Sequence, residues 1–173
     1  MDYSFLTNIA VVLTMVSYFI ATVFVFFYFK TKRLSHKKLF TILFYLNVFF
    51  LILYFIYNFL NALNIDEIEH IYSSWLISKG EIPYYDFFQH HHPLIWYILA
   101  PGFLLFGEGI VSVFFIRLFN FALFSGILFF IYRITKEITH SKIMALFSFS
   151  IALSTNFFVK NILEFRPDVL MTF

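Results

Sequence analysis

Cysteine is absent from this chain of 173 residues. Its absence excludes disulfides, thiol nucleophiles and cysteine-ligated zinc sites within these residues. Charged residues are also scarce, at 13% of the chain, whereas a soluble domain has roughly 25%. In their place, 61% of the residues are hydrophobic and 24% are aromatic, with 29 phenylalanines. This composition predicts an integral membrane protein.

Four apolar runs define the predicted fold. Residues 5–29 and 39–60 each exceed the roughly 20 residues that a membrane-spanning helix needs. Residues 110–132 and 143–159 come close enough to a span, with Arg117 as the only charged residue inside them. The sequence therefore predicts an all-α polytopic membrane protein with four transmembrane helices. The first run is too long for a secretory signal and has no basic region before it, so we expect it to remain as an anchor.

Basic residues are concentrated in two loops between these runs. Because loops rich in lysine and arginine stay in the cytoplasm, both loops are expected there, and the acidic and histidine-rich part of the chain is expected outside. This requires that residues 93–107 do not cross, and a 15-residue run with Pro101 and Gly102 in its middle favours an interfacial or re-entrant segment. The basic residues of the two loops are Lys30, Lys32, Arg33, Lys37, Lys38, Arg133, Lys136 and Lys142.

A polar segment from residue 66 to residue 93 interrupts the apolar pattern and contains five acids and four histidines. Ionisable groups beside a bilayer are costly to desolvate, so this segment is the candidate site. Asn64 and Glu67 have the spacing of a capping box and Gly80 supplies a stop, which together predict a helix over residues 65–79.

The predicted helix is amphipathic and is expected to lie at the membrane surface. Its apolar side would rest on lipid or on the spans beneath, and its carboxylates would face an external pocket. Lys79 is expected to point towards the lipid headgroups. Residues 81–86 are expected to form an extended connector, because Pro83 disfavours helix in the residue before it.

Asp66 and Glu67 are the first candidates for chemistry. They directly follow a predicted span, and carboxylates at such a rim suit a base that takes a proton from an incoming hydroxyl. The two acids can also simply cap the surface helix and complement its dipole. The spacing leaves both interpretations open, and both can hold together.

The histidine run, residues 90–92, has three interpretations. Together with Asp86 and His70 it offers the ligand types of a zinc-like site, although three consecutive residues do not easily all face one ion. One or two of the imidazoles, such as those of His91 and His92, could instead contact a phosphate or a substrate hydroxyl. The third interpretation is a plain polar connector at the level of the headgroups.

Two arginines are further candidates. Arg117 lies about one and a half turns into its span, where a charged side chain needs a partner or water. The partner could be a phosphate or an acid such as Glu108. Alternatively, the side chain could snorkel to the interface. Arg166 and Asp168 form a second external patch that could complete the same pocket. Residues 169–173 resemble the start of another span, so we expect the chain to be the N-terminal part of a longer protein.

The order of these motifs resembles the GT-C membrane glycosyltransferases, and most closely the bacterial relatives of protein O-mannosyltransferases and aminoarabinose transferases. The resemblance covers about residues 39–173, a transferase-like module with an external loop over residues 61–109, while residues 1–38 form an anchor helix and a basic cytoplasmic loop. The matching residues are Asp66-Glu67, Gly80, Pro83-Tyr84-Tyr85-Asp86, His91-His92-Pro93-Leu94, Phe106-Gly107, Arg117-Leu118 and Arg166-Pro167-Asp168.

The resemblance implies transfer of a sugar, with inversion, from a polyprenyl-phosphate carrier to a hydroxyl of a lipid, glycan or protein on the external face of the plasma (inner) membrane. Asp66 would be the general base and Glu67 would support it. The donor phosphate would contact the His91 region and Arg117 or Arg166. Asp86 would also bind substrate, and Asp168 would line the acceptor side. The resemblance assigns no cofactor, a divalent cation is left open, and nucleic acid is not expected as a partner.

The chain departs from the family pattern at two places. His92 occupies the first of two positions that are commonly proline, which leaves open whether His91 or His92 faces the pocket, and residues 5–29 are an additional span. The alternative function is a non-catalytic membrane component whose histidines and acids bind a metal ion or dock a partner.

Overall fold

The computed structural model describes residues 3–32, 35–155 and 159. These residues form six α-helices and no strand. Three stretches are long and apolar enough to cross a membrane: Ile9–Tyr28, His36–Leu60 and Ile110–Thr139. This confirms the predicted all-α class, and the three apolar helices support a membrane protein. The six helices are α1 (Tyr3–Lys32), α2 (His36–Leu60), α3 (Ile65–Ser78), α4 (Leu94–Phe106), α5 (Ile110–Thr139) and α6 (Lys142–Leu153).

The fourth predicted span, residues 143–159, is only partly helical. Helix α6 begins after Ser141, whose hydroxyl accepts a hydrogen bond from the Met144 N–H at 3.3 Å, and it ends at Leu153. Twelve helical residues extend about 18 Å, which is less than the roughly 30 Å of a bilayer core. Ser154 continues the chain in a turn, so the described residues do not confirm a fourth span.

The chain divides into two compact units. Within the described residues, unit 1 comprises residues 3–32, 35–61, 125–155 and 159, and unit 2 comprises residues 62–124. The predicted boundary after residue 38 stays a prediction.

In unit 1, helices α1, α2 and α6 pack together around buried leucines, among them Leu39, Leu43 and Leu146. Polar side chains also join the three helices. The Tyr18 hydroxyl donates to Asn47 Oδ1, and the Ser150 hydroxyl donates to the same oxygen at 3.0 Å. The additional N-terminal helix is therefore packed into the bundle.

The two basic loops lie at the same end of unit 1. One cavity is lined by residues from the start of α2 and from the connection between α5 and α6. This is the arrangement that the charge distribution predicts, since both loops are expected on one side of the membrane. The polar residues that line this cavity are His36, Lys37, His140, Ser141 and Lys142.

Unit 2 contains α3, α4 and the first half of α5. Its apolar core consists of Ile95, Trp96, Leu99, Phe103 and Ile116, all within α4 and α5. Helix α4 has 13 residues with a proline inside it. Its length agrees with the prediction that this segment does not cross the membrane.

Helix α3 begins and ends close to the predicted positions. At its C-terminus Gly80 adopts a φ of 94°, the Gly80 N–H donates to the Ile77 carbonyl at 2.9 Å, and the Glu81 N–H donates to the Leu76 carbonyl at 3.2 Å. This is a Schellman motif, which confirms the predicted glycine stop. The predicted capping box is wrong, because the Asn64 side chain makes no cap hydrogen bond.

Helix α3 differs from a surface helix of a soluble protein in which residues it buries and which it exposes. Its polar side is largely buried, whereas Ile65, Ile68 and Tyr72 are exposed by 79%, 48% and 54%. An exposed apolar face is what a helix at the membrane surface presents to lipid. Most of the polar side thus packs inside unit 2, together with the apolar residues Ile71, Trp75 and Ile77, which contact its core. The buried residues of α3 are Glu67, His70, Ser73, Ser74 and Leu76.

Candidate functional site

A buried ion pair joins the start of α3 to α5. Arg117 Nε lies 2.7 Å from Glu67 Oε1, and Arg117 Nη2 lies 2.8 Å from Glu67 Oε2. The two side chains are only 3% and 1% exposed. Arg117 Nη2 also donates to the Ala62 carbonyl at 3.4 Å. Because a buried charge is costly without its partner, this bidentate ion pair fixes the N-terminus of α3, where Asp66 lies.

The pairing differs from the sequence-based alternative of an ion pair between Arg117 and Glu108. Glu108 instead forms an ion pair with Lys79, and the expected direction of Lys79 towards the lipid headgroups stays a prediction. The hydrogen bond from Lys79, followed by one from Trp75, lowers the pKa of Glu108 below its ordinary value. Arg117 has a protein carboxylate as its partner, and its contact with a phosphate stays a prediction.

His70 is a second buried polar group of α3. The Trp96 indole N–H donates to His70 Nδ1 at 3.1 Å. This bond assigns the neutral tautomer with its proton on Nε2. The His70 ring also meets the ring of His91 edge to face, with centroids 4.8 Å apart. The His70 ring therefore packs against the histidine run, and its Nδ1 is not available to a metal ion.

The connector after α3 is a closed turn, so the prediction of an extended segment is wrong. The Ile82 N–H donates to Asp86 Oδ2 at 2.7 Å, and Tyr84 has a positive φ of 68°. The Tyr84 hydroxyl donates to the His91 carbonyl. Asp86 thus closes the turn, its contact with substrate stays a prediction, and Tyr84 ties the turn to the histidine run.

A side-chain bridge attaches the same connector to α3. The Gln89 amide donates to the Ser73 hydroxyl at 3.0 Å, and that hydroxyl donates to the Glu69 carbonyl at 2.9 Å. Gln89 directly precedes the histidine run, so the bridge places the run beside Glu69. The sequence placed Tyr84 in the Pro83-Tyr84-Tyr85-Asp86 motif without a role of its own, and it did not identify Gln89, because neither residue type is diagnostic of a site.

Glu69, His90 and His91 come together on the surface of unit 2. One donor atom from each lies within 4.8 Å of the other two, and His90 Nδ1 is 3.5 Å from Glu69 Oε1. The rings of His90 and His91 have centroids 4.0 Å apart. His92 is exposed and is not part of this group. Glu69 was missed as a ligand, although its place on the polar face of α3 was a usable signal.

Asp66 is half-buried in the first turn of α3. Residues three and four apart are neighbours on a helix surface, so Asp66 lies on the same side as Glu69 and His70. The structure thereby brings Asp66, Glu67 and the histidine run into one unit. Arg166 and Asp168 lie outside the described residues.

No family model, curated protein or solved structure matches this chain. The resemblance to the GT-C glycosyltransferases therefore depends on the motif residues themselves. What the structure adds is the physical arrangement of those that it describes.

Proposed function

We propose that this protein transfers a sugar from a polyprenyl-phosphate carrier to a hydroxyl acceptor at the extracytoplasmic face of the plasma (inner) membrane. One observation carries the proposal: the start of α3, with Asp66 and Glu67, and the histidine run belong to the same compact unit and are joined through Glu69 and His70. A carboxylate beside cationic or hydrogen-bonding groups is the minimum that transfer from a phosphate ester requires.

In the proposed reaction the acceptor oxygen attacks the anomeric carbon of the sugar. The bond from that carbon to the phosphate oxygen breaks, and the carrier leaves as polyprenyl phosphate. Asp66 takes the proton of the acceptor hydroxyl. Since phosphate is already a good leaving group, positioning and one base supply most of the catalysis.

The other residues have distinct proposed roles. Glu67 and Arg117 hold the head of α3 and so position Asp66, because each neutralises the other in the interior. His91 and His92 contact the donor phosphate, and Arg166 joins them from the following segment. Asp168 lines the acceptor side.

The proposed membrane placement has four spans, with α6 and the residues that follow it forming the fourth. The basic loops, which share one cavity, lie in the cytoplasm, and the loop of residues 61–109 lies outside. The absence of cysteine from the 173 residues allows a direct check with single-cysteine variants. Tyr85→Cys, at a position that is 85% exposed, should react with an impermeant maleimide added to intact cells. Lys142→Cys should react only after permeabilisation, and the reverse pattern would contradict the placement.

The activity test uses the intact protein in proteoliposomes. The probes are radiolabelled polyprenyl-phosphate mannose and polyprenyl-phosphate aminoarabinose with a membrane extract as acceptor source, and release of polyprenyl phosphate is measured. Asp66→Asn should lower the rate by about 10²–10⁴-fold, the usual contribution of a general base. Glu137→Gln is the matched control, because it makes the same change at an exposed carboxylate of unit 1. Equal rates for both variants would contradict the proposal.

A second candidate function is a metal-binding membrane component, which the proximity of Glu69, His90 and His91 favours. The two candidates separate on one variant. Asp66→Asn abolishes sugar transfer if the protein is a transferase, whereas a metal carrier should keep its bound ion and its function in that variant.

A further inference from the structure

The geometry points to a divalent transition-metal site of the zinc class, formed by Glu69, His90 and His91. The ligand set differs from the one that the sequence offers, because Glu69 replaces Asp86 and His70, and His92 takes no part. Its existence is independent of the proposed function.

The backbone explains how two neighbouring histidines face one ion. The chain bends at His90 and His91 and does not continue as a strand or a helix. The two side chains therefore do not point to opposite faces, as they would in a strand, and are not rotated apart, as they would be in a helix. Their ring centroids are 4.0 Å apart, and Glu69 approaches from α3. One cation placed between the two rings and the Glu69 carboxylate would lie within reach of a donor atom from each of the three side chains.

The distances fit a site that closes around its ion. The donor atoms lie within 4.8 Å of one another, and donors on a tetrahedral zinc ion, at bond lengths of about 2.0–2.1 Å, are separated by about 3.4 Å. Side-chain rotation can supply the difference, because the His90 side chain is 63% exposed and Glu69 is 27% exposed. Two imidazoles and one carboxylate leave at least one position open, as in sites where a substrate oxygen binds the metal.

Three neighbouring groups hold the ligands in place. The Tyr84 hydroxyl bonds the His91 carbonyl, the Gln89 amide bonds Ser73 one turn beyond Glu69, and His70 packs against the His91 ring. Such outer contacts orient metal ligands and contribute to affinity. Within the described residues, the His91 imidazole makes ring contacts and no hydrogen bond, so its nitrogen is available for coordination.

The role of the ion rests on the proposed function. In a sugar transferase, the open position would accept an oxygen of the donor phosphate, so that His91 would contact the donor through the ion, and the ion would balance the charge on the departing carrier. This places the ion on the donor side and leaves the proton of the acceptor hydroxyl to Asp66.

The test measures Co²⁺ binding by the intact, untagged protein in detergent, by visible absorption and by calorimetry. The wild type should bind one equivalent and show the absorption of a site with nitrogen and oxygen ligands. Glu69→Gln and His91→Ala should each weaken binding by at least about 100-fold, because the loss of even an outer contact costs about 10–100-fold. The matched control is His92→Ala, which removes the adjacent exposed imidazole and should bind as the wild type does.

Folding is monitored by the fluorescence of Trp75 and Trp96, both in unit 2, so that a misfolded variant is not scored as a lost site. The site is overturned if Glu69→Gln and His91→Ala bind Co²⁺ as tightly as the wild type. It is also overturned if His92→Ala loses binding equally. Asp66→Asn should bind normally, so a protein that binds the ion but transfers no sugar would refute the proposed function and retain the site.

Discussion

The two units bury polar groups of different kinds. In unit 1 the buried cluster contains Tyr18, Asn47 and Ser150, which are neutral and bond to one another across α1, α2 and α6. In unit 2 the buried groups include an ion pair, Glu67 with Arg117, and the titratable His70.

The two kinds of buried group indicate two different roles, helix packing in unit 1 and function in unit 2. Neutral hydrogen bonds between apolar helices hold a membrane bundle together at modest energies. Charged groups in such surroundings are costly and usually mark a functional site. We therefore interpret the polar cluster of unit 1 as a means of packing, and the polar face of α3 as the foundation of a site.

The largest expected effect comes from breaking the ion pair of unit 2. Arg117→Met leaves the Glu67 carboxylate buried without its main partner, which should destabilise unit 2 by about 3–5 kcal/mol. Thermal unfolding in detergent, followed by tryptophan fluorescence, measures the loss. Activity should fall in parallel, because Asp66 occupies the same turn as Glu67.

The double variant Glu67→Met with Arg117→Met is the control for this prediction. Replacing both charges by apolar side chains of similar size is often close to neutral, so the double variant should be more stable than Arg117→Met alone. If the two effects simply add, the buried pair does not stabilise α3 in the way described.

A smaller effect is expected in unit 1. Tyr18→Phe removes the hydroxyl that donates to Asn47 and should cost about 0.6–1.7 kcal/mol, the range of such bonds within membranes. Tyr45→Phe makes the same change at a position that is 66% exposed and should have no measurable effect. A loss in Tyr18→Phe as large as that in Arg117→Met would remove the distinction between the two units.

The smallest effect is expected from the exposed ion pair of unit 2, Lys79 with Glu108. The native pKa of Glu108 is lowered by its hydrogen bond with Lys79. Its contribution to stability is therefore complete above the ordinary carboxyl pKa and is lost as the pH falls through the lower native value. In Glu108→Gln this acid-dependent part of the unfolding curve should disappear, with little change at neutral pH. A large loss at neutral pH would show that burial is not what distinguishes the charged groups.

Local signals predicted the parts of the fold that local chemistry controls. Gly80 ends α3 as expected, because only the residue itself and its neighbours decide that conformation. The turn at Asp86 also had a local signal, since Pro83 favours turns. The prediction of an extended connector considered only the effect of Pro83 on the residue before it. Residues 143–159 were predicted as a span from their hydrophobicity alone, and hydrophobicity does not reveal the turn at Ser154.

The site was only partly predictable, since its contacts join distant parts of the sequence. Glu67 and Arg117 are separated by 50 residues, and no pattern in the sequence selects this pair over Glu108. Similarly, Glu69 meets His90 only because the connector folds back on α3 through the bonds of Tyr84 and Gln89. The residue types of the site were recognisable, but their partners depended on packing.

The central claim is tested most directly by measuring sugar transfer and thermal unfolding together for Asp66→Asn and Tyr18→Phe in the intact protein. We predict opposite results in the two units. Asp66→Asn should remain folded at the assay temperature and lose transfer by about 10²–10⁴-fold, whereas Tyr18→Phe should unfold at a lower temperature than the wild type and retain transfer while folded. Wild-type transfer by folded Asp66→Asn would contradict the account.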